Sequence, residues 1–68
     1  MRPYDPKKNG QILRDLRGDK TREEVSVATG IGISSLAMYE SGERNPRDEV
    51  KQILANYYGK TVADIFYL

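Results

Sequence analysis

The segment from Thr21 to Gly42 constrains this chain more than any other. Thr21 is followed three residues later by Glu24. That spacing is a capping box, in which hydroxyl and carboxylate reciprocally satisfy the first orphan N–H groups of a helix. Val25 and Ala28 are expected to face inward. Gly30 supplies the left-handed residue that stops a helix, and Ile31 follows as a buried turn residue. Leu36 and Tyr39 then anchor a second short helix, which Gly42 closes. Helices this short are marginal in water by themselves, so the rest of the chain must be built to hold them.

The flanks supply that support. Asp5-Pro6 reads as an N-cap acid followed by proline at the first helical position. Ile12, Leu13 and Leu16 have amphipathic helical spacing, with Gly18 as the stop. Asn9-Gly10 has hairpin chemistry, but no alternating strands flank it. Asn45-Pro46 reads as another helix start. Val50, Ile53, Leu54 and Tyr57 then define one apolar stripe ending at Gly59. Thr61 and Asp64 form a second capping box, and Val62, Ile65 and Phe66 complete a short last helix. Met1 to Tyr4 is expected to be an arm. The expectation is one all-α domain over residues 1–68: a compact five-helix bundle around one core, with the two-helix motif at about residues 21–41.

Composition removes whole classes of function. A chain of 68 residues is near the lower limit for folding without staples. With no Cys and no His, disulfides and Cys/His zinc sites are excluded, and the commonest general base is missing. No enzyme activity, cofactor, metal or small-molecule ligand is expected. Gly30-Ile31-Gly32 lacks the third glycine and preceding strand of a dinucleotide site. No apolar run approaches the ~20 residues of a membrane span, and the polar start is not a signal peptide, so a cytoplasmic address is expected.

Net charge is only +1, yet it is unevenly placed. Residues 1–22 carry seven cations (Arg2, Lys7, Lys8, Arg14, Arg17, Lys20, Arg22) against three acids, or +4, and residues 23–68 carry four against seven, or −3. A basic side on a nearly neutral domain suits phosphate contact. Arg17 is also expected to pair with Glu40, because charges near a core are usually paired.

A capped helix, a glycine turn and a second short helix make a helix-turn-helix, whose second helix enters the DNA major groove. Leu16-Arg17, Thr21 with Glu23-Glu24-Val25, Gly30-Ile31, Tyr39-Glu40, Gly42 and Pro46 together resemble the phage repressor/Cro-like (xenobiotic-response-element) family. Tyr57, Gly59 and Asp64-Ile65-Phe66 extend the resemblance, which spans roughly residues 10–66. It implies a lambda-repressor-like bundle that binds double-stranded operator DNA, usually as a dimer, and regulates transcription.

The resemblance also implies roles. Arg22 sits where the family typically has a glutamine that donates to phosphate, and Arg is the stronger phosphate ligand. Gly32 lies at the start of the recognition helix, where Ser or Thr is usual. Ile33, Ser34, Ser35, Ala37 and Met38 occupy the base-reading helix. Ser41, Arg44 and Asn45 approach the DNA backbone, with Arg14 and Arg17 as weaker phosphate candidates. The departure is chemical: Ile33, Ala37 and Met38 cannot form bidentate hydrogen bonds, although they can pack on thymine methyls, so specificity is expected to lean on thymine-rich contacts, bridging water or DNA deformability. The apolar C-terminus is read either as local core closure or as a homodimer interface, with Tyr57, Tyr58, Phe66, Tyr67 and Leu68 as the candidate contacts. The competing function is a protein-interaction module, such as an antitoxin-like or adaptor protein, using the Ile33/Met38 face or the C-terminus.

Overall fold

The computed structural model describes residues 5–67, which form α1 (Pro6–Arg17), α2 (Arg22–Thr29), α3 (Ile33–Ser41), α4 (Asp48–Tyr58) and α5 (Val62–Phe66). No strand occurs among the described residues. The expected arm, Met1 to Tyr4, and the candidate contact Leu68 lie outside them.

Three helices start where the capping chemistry says. The Asp5 carboxylate accepts from the Lys8 backbone N–H at 3.2 Å, with Pro6 at the first helical position. At α2, Thr21 Oγ1 accepts from Glu24 N at 3.1 Å, and Glu24 Oε1 accepts from Thr21 N at 3.3 Å. Thr61 and Asp64 repeat the exchange at α5, both bonds being 3.1 Å. Gly30 ends α2 at φ 78°, a left-handed conformation that side chains disfavour.

Nine residues make the core: Leu13, Val25, Ile31, Leu36, Tyr39, Leu54, Ala55, Ile65 and Phe66. Every helix contributes, and so does Ile31 from the α2–α3 turn, so the turn is fixed by burial as well as by backbone geometry. α1 packs most extensively against α3. Gly10 makes that approach possible. A Cβ there would lie 2.8 Å from the Tyr39 carbonyl oxygen and 2.7 Å from the Glu40 carbonyl carbon, with the Glu40 oxygen nearer still. The Asn9-Gly10 pair is thus helical, and its glycine is a contact surface.

Three expectations need correction. Ala28 is exposed, and the neighbouring Val27 is 88% exposed. Val25 is instead joined on the inner side by half-buried Thr29, four residues on, and by Arg22 and Ser26. Ile53 is 40% exposed, because Lys51 and Ala55 are buried and rotate the inner face of α4 away from it. Asn45-Pro46 does not begin α4: Arg47 is the N-cap, and Pro46 is buried against the bundle.

Lys51 is 5% exposed. Its ammonium donates to Tyr67 Oη at 2.9 Å and lies 4.9 Å from the Tyr67 ring centroid and 5.5 Å from that of Phe66. A long amphipathic side chain can bury its stem in this way while its charge meets aromatic faces and a hydroxyl. It ties α4 to the end of α5.

Candidate nucleic-acid interface

The inner side of α3 is used for folding. Leu36, Tyr39 and Glu40 are buried there. Its outer side is left to solvent: Ile33 is 47% and Met38 39% exposed, Ser34 and Ser41 are exposed, and Ala37 is half-buried. Ser35 is half-buried beside this surface. At the head of α3, Gly32 is the N-cap and provides no side-chain hydrogen bond. The first turn of α3 is therefore without a side-chain cap among the described residues.

Glu40 is the electrostatic centre of the region, and its carboxylate is 3% exposed. It lies one helical turn after Leu36, on the same inner side. It accepts from Arg17 Nε at 2.8 Å and Arg17 Nη2 at 3.1 Å, a bidentate clasp between α1 and α3. Arg22 Nε donates at 3.1 Å to Glu40 Oε1, the oxygen that Arg17 Nη2 also reaches. Arg17 also donates to the Lys20 carbonyl at 2.7 Å, which fixes the α1–α2 loop. The hydrogen bonds to Glu40 chiefly hold the Arg17 pKa above its ordinary value, outweighing desolvation. Two guanidiniums share one carboxylate, so the cluster keeps a net positive charge.

Arg17 therefore meets Glu40 as expected, and both its Nε and Nη2 are committed there. Arg22 takes up the same carboxylate, a contact that the spacing in the sequence does not announce. It uses only Nε among the described residues, and the side chain remains 38% exposed. The available signal was Glu40 itself, an acid at an inward position of a helix that otherwise buries Leu and Tyr. Beyond α3, Arg44 and Asn45 are exposed in the loop to α4. The Ser41 hydroxyl is engaged by the Met38 carbonyl at 3.1 Å and the Glu43 carboxylate at 2.8 Å.

The proposed dimer residues separate in the structure. Phe66 is 1% exposed and belongs to the core, so its ring is not available at the surface of a single domain. Tyr57 and Tyr58 are half-buried, with ring centroids 5.0 Å apart in an edge-to-face pair, and Lys20 sits 4.9 Å over Tyr57. Tyr67 is 45% exposed.

A shallow cavity of about 470 Å³ lies elsewhere, lined by Ile12, Asp15, Leu16, Lys60, Asp64 and Ile65. It is formed without α2 or α3. No group of three or more acidic, His or Cys side chains is placed to hold a metal among the described residues.

The model of a family described as "Helix-turn-helix" matches residues 11–65, which spans all of α2, α3 and α4 and most of α1 and α5. The chain belongs to this helix-turn-helix family. The helix-turn-helix protein is 36% identical over 55 residues to the cryptic phage CTXphi transcriptional repressor RstR of Vibrio cholerae. The match takes in 78% of this chain and 50% of the relative, so the chain spans about half the length of the curated relative it matches. No solved structure matches it. In the structure of this helix-turn-helix protein, α2 and α3 are consecutive helices joined by the Gly30–Gly32 turn.

Proposed function

We propose that this protein is a non-enzymatic, sequence-specific binder of double-stranded operator DNA that represses transcription, as a homodimer inside the cell. The observation that carries the proposal is the second helix of the motif: its inner residues hold the core, while Ile33, Ser34 and Met38 on its outer side are left exposed. In helix-turn-helix domains that outer side enters the major groove. The similarity to a phage transcriptional repressor supports the regulatory direction.

In this arrangement Ile33, Ser34, Ser35, Ala37 and Met38 meet base edges. Arg22 and the open N-terminus of α3 at Gly32 meet phosphate, and Ser41, Arg44 and Asn45 follow the backbone. Arg22 is suited to this because Glu40 holds its Nε while the side chain stays 38% exposed. The domain measures 35 × 22 × 21 Å. In the proposed dimer the two recognition helices would lie one turn of DNA, about 34 Å, apart. Tyr67 is the exposed aromatic residue offered for that pairing, with Tyr57 and Tyr58 beside it in the candidate set.

The test is a salt titration of binding to the DNA flanking the protein's own gene, by fluorescence anisotropy, beside a scrambled duplex. Log affinity should fall linearly with log salt, by about 0.9 for each phosphate neutralised. Arg22→Ala should weaken all duplexes about equally, whereas Met38→Ala should change the preference among sites. Absence of binding to either duplex at low salt would refute the proposal and favour a protein partner for the Ile33/Met38 surface.

A further inference from the structure

The residues α3 offers to a base pair are of an uncommon kind. Ile33–Ser41 contains no Arg, Lys, Asn, Gln or His. At about 100° per residue, Ile33, Ala37, Ser41, Ser34 and Met38 fall in that order on one outward arc of about 140°. Leu36 and Tyr39 lie on the far, buried side, and Glu40 is buried at the edge next to Ile33. The Ser41 hydroxyl is occupied by Met38 and Glu43. What remains is an apolar surface, Ile33 at 47% and Met38 at 39% exposure with Ala37 between them, and the hydroxyl of Ser34.

A base pair shows the major groove many hydrogen-bonding atoms but a single apolar group, the 5-methyl of thymine. Burying Ile33 or Met38 against carbonyl and amino edges would strip those edges of water and return no hydrogen bond. Burying them against methyls gains apolar contact without that cost. We infer that α3 reads its operator through thymine 5-methyl groups, with Ile33 and Met38 as the specificity-determining residues and Ala37 as the floor between them. The inference rests on the DNA-binding function proposed above and names the chemistry of that site.

Uracil is the discriminating probe, because it keeps every hydrogen-bonding atom of thymine and lacks only the methyl. Duplexes enriched from a random-sequence pool would be prepared with thymine and with uracil. Both would be titrated by fluorescence anisotropy against the wild type and the Ile33→Ala/Met38→Ala double variant, with circular-dichroism melts of each protein. The enriched half-sites should be rich in T·A pairs. Uracil should weaken wild-type binding by about fourfold per methyl buried, with the salt slope unchanged. The double variant should bind both forms equally. If it melts early, Met38→Ala alone carries the comparison and should reduce the discrimination.

Equal wild-type affinity for thymine and uracil duplexes overturns the inference while leaving DNA binding intact. Discrimination that survives in the variant also overturns it, since the methyls are then read elsewhere. A pool that yields no preferred duplex removes the sequence-specific function proposed above, and this inference with it.

Discussion

Gly10→Ala is the substitution for which helix propensity and tertiary packing give opposite signs. Gly10 lies inside α1, where alanine is favoured over glycine by about 0.8–1.0 kcal/mol. Propensity alone therefore predicts a more stable protein. In the structure the added Cβ meets main-chain atoms of α3: the Tyr39 oxygen at 2.8 Å, the Glu40 carbonyl carbon at 2.7 Å, and the Glu40 oxygen closest. These atoms belong to a helix and cannot swing aside as a side-chain tip would. Relief requires α1 and α3, the most extensively packed pair, to separate. Overpacking typically costs about 1–3 kcal/mol, and a contact with rigid backbone belongs at the upper end. Subtracting the propensity gain leaves a net loss of roughly 2 kcal/mol. For a domain of this size that lowers Tm by about 8–16 °C. Urea and thermal unfolding followed by far-UV circular dichroism measure it directly. A variant as stable as the wild type, or more stable, would refute the close approach of α1 and α3. It would also undermine the Arg17–Glu40 clasp, which spans the same two helices.

Other expected outcomes follow from the ionisable groups. Glu40→Gln keeps volume but removes the charge that Arg17 and Arg22 share. Breaking a buried pair at one end costs about 3–5 kcal/mol. Because the arginines are 16% and 38% exposed and can turn toward water, a loss of about 2 kcal/mol is expected in urea titrations. Arg22→Ala, at the exposed end of the cluster, should cost under about 1 kcal/mol. The Tyr58 phenol is pushed up to about 12 by burial, then by Glu40 and Tyr57, against the opposing effect of Arg17. Its ordinary value is 10.0, so the unfolded chain releases the proton first, and stability is lost as pH rises from 10 toward 12. Tyr58→Phe should flatten that alkaline loss in unfolding midpoints. The Asp64 carboxyl is held below its ordinary 3.8 by hydrogen bonds from Thr61, backbone first. Its contribution is present above that value and is lost as pH falls through the folded pKa. Asp64→Asn should therefore make the acid limb of a pH–stability profile shallower.

Much of this fold is legible residue by residue. Capping boxes at Thr21/Glu24 and Thr61/Asp64 and the Asp5-Pro6 start depend on side chains three or fewer residues apart. Such local chemistry survives in a linear sequence. The same holds for Gly30 and for the inward spacing of Leu36 and Tyr39. The site was partly legible for a related reason: once α3 is placed, its outward residues follow from helical periodicity.

What failed depended on rotation and on neighbours. Ala28 and Ile53 sit at the margins of their apolar stripes, and only the partner helices decide whether a margin is covered. Proline fits the first turn of a helix, so the sequence points to a start at Pro46, yet the residue is buried in the loop before Arg47. For Phe66 the apolar sequence leaves core closure and a dimer contact both open, and the packing of α5 decides for the core.

The sequence by itself determined the number of helices, most of their starts and stops, and the apolar character of the outward face of α3, because each depends on covalent spacing or on contacts within one or two turns. The tertiary structure decided that Gly10 is a helix–helix contact, that Glu40 gathers Arg17 and Arg22 from α1 and α2 around one buried carboxylate, and that Lys51 is enclosed beside Tyr67 and Phe66. Those facts depend on groups far apart in the chain, whose distances and hydration exist only after the helices have packed.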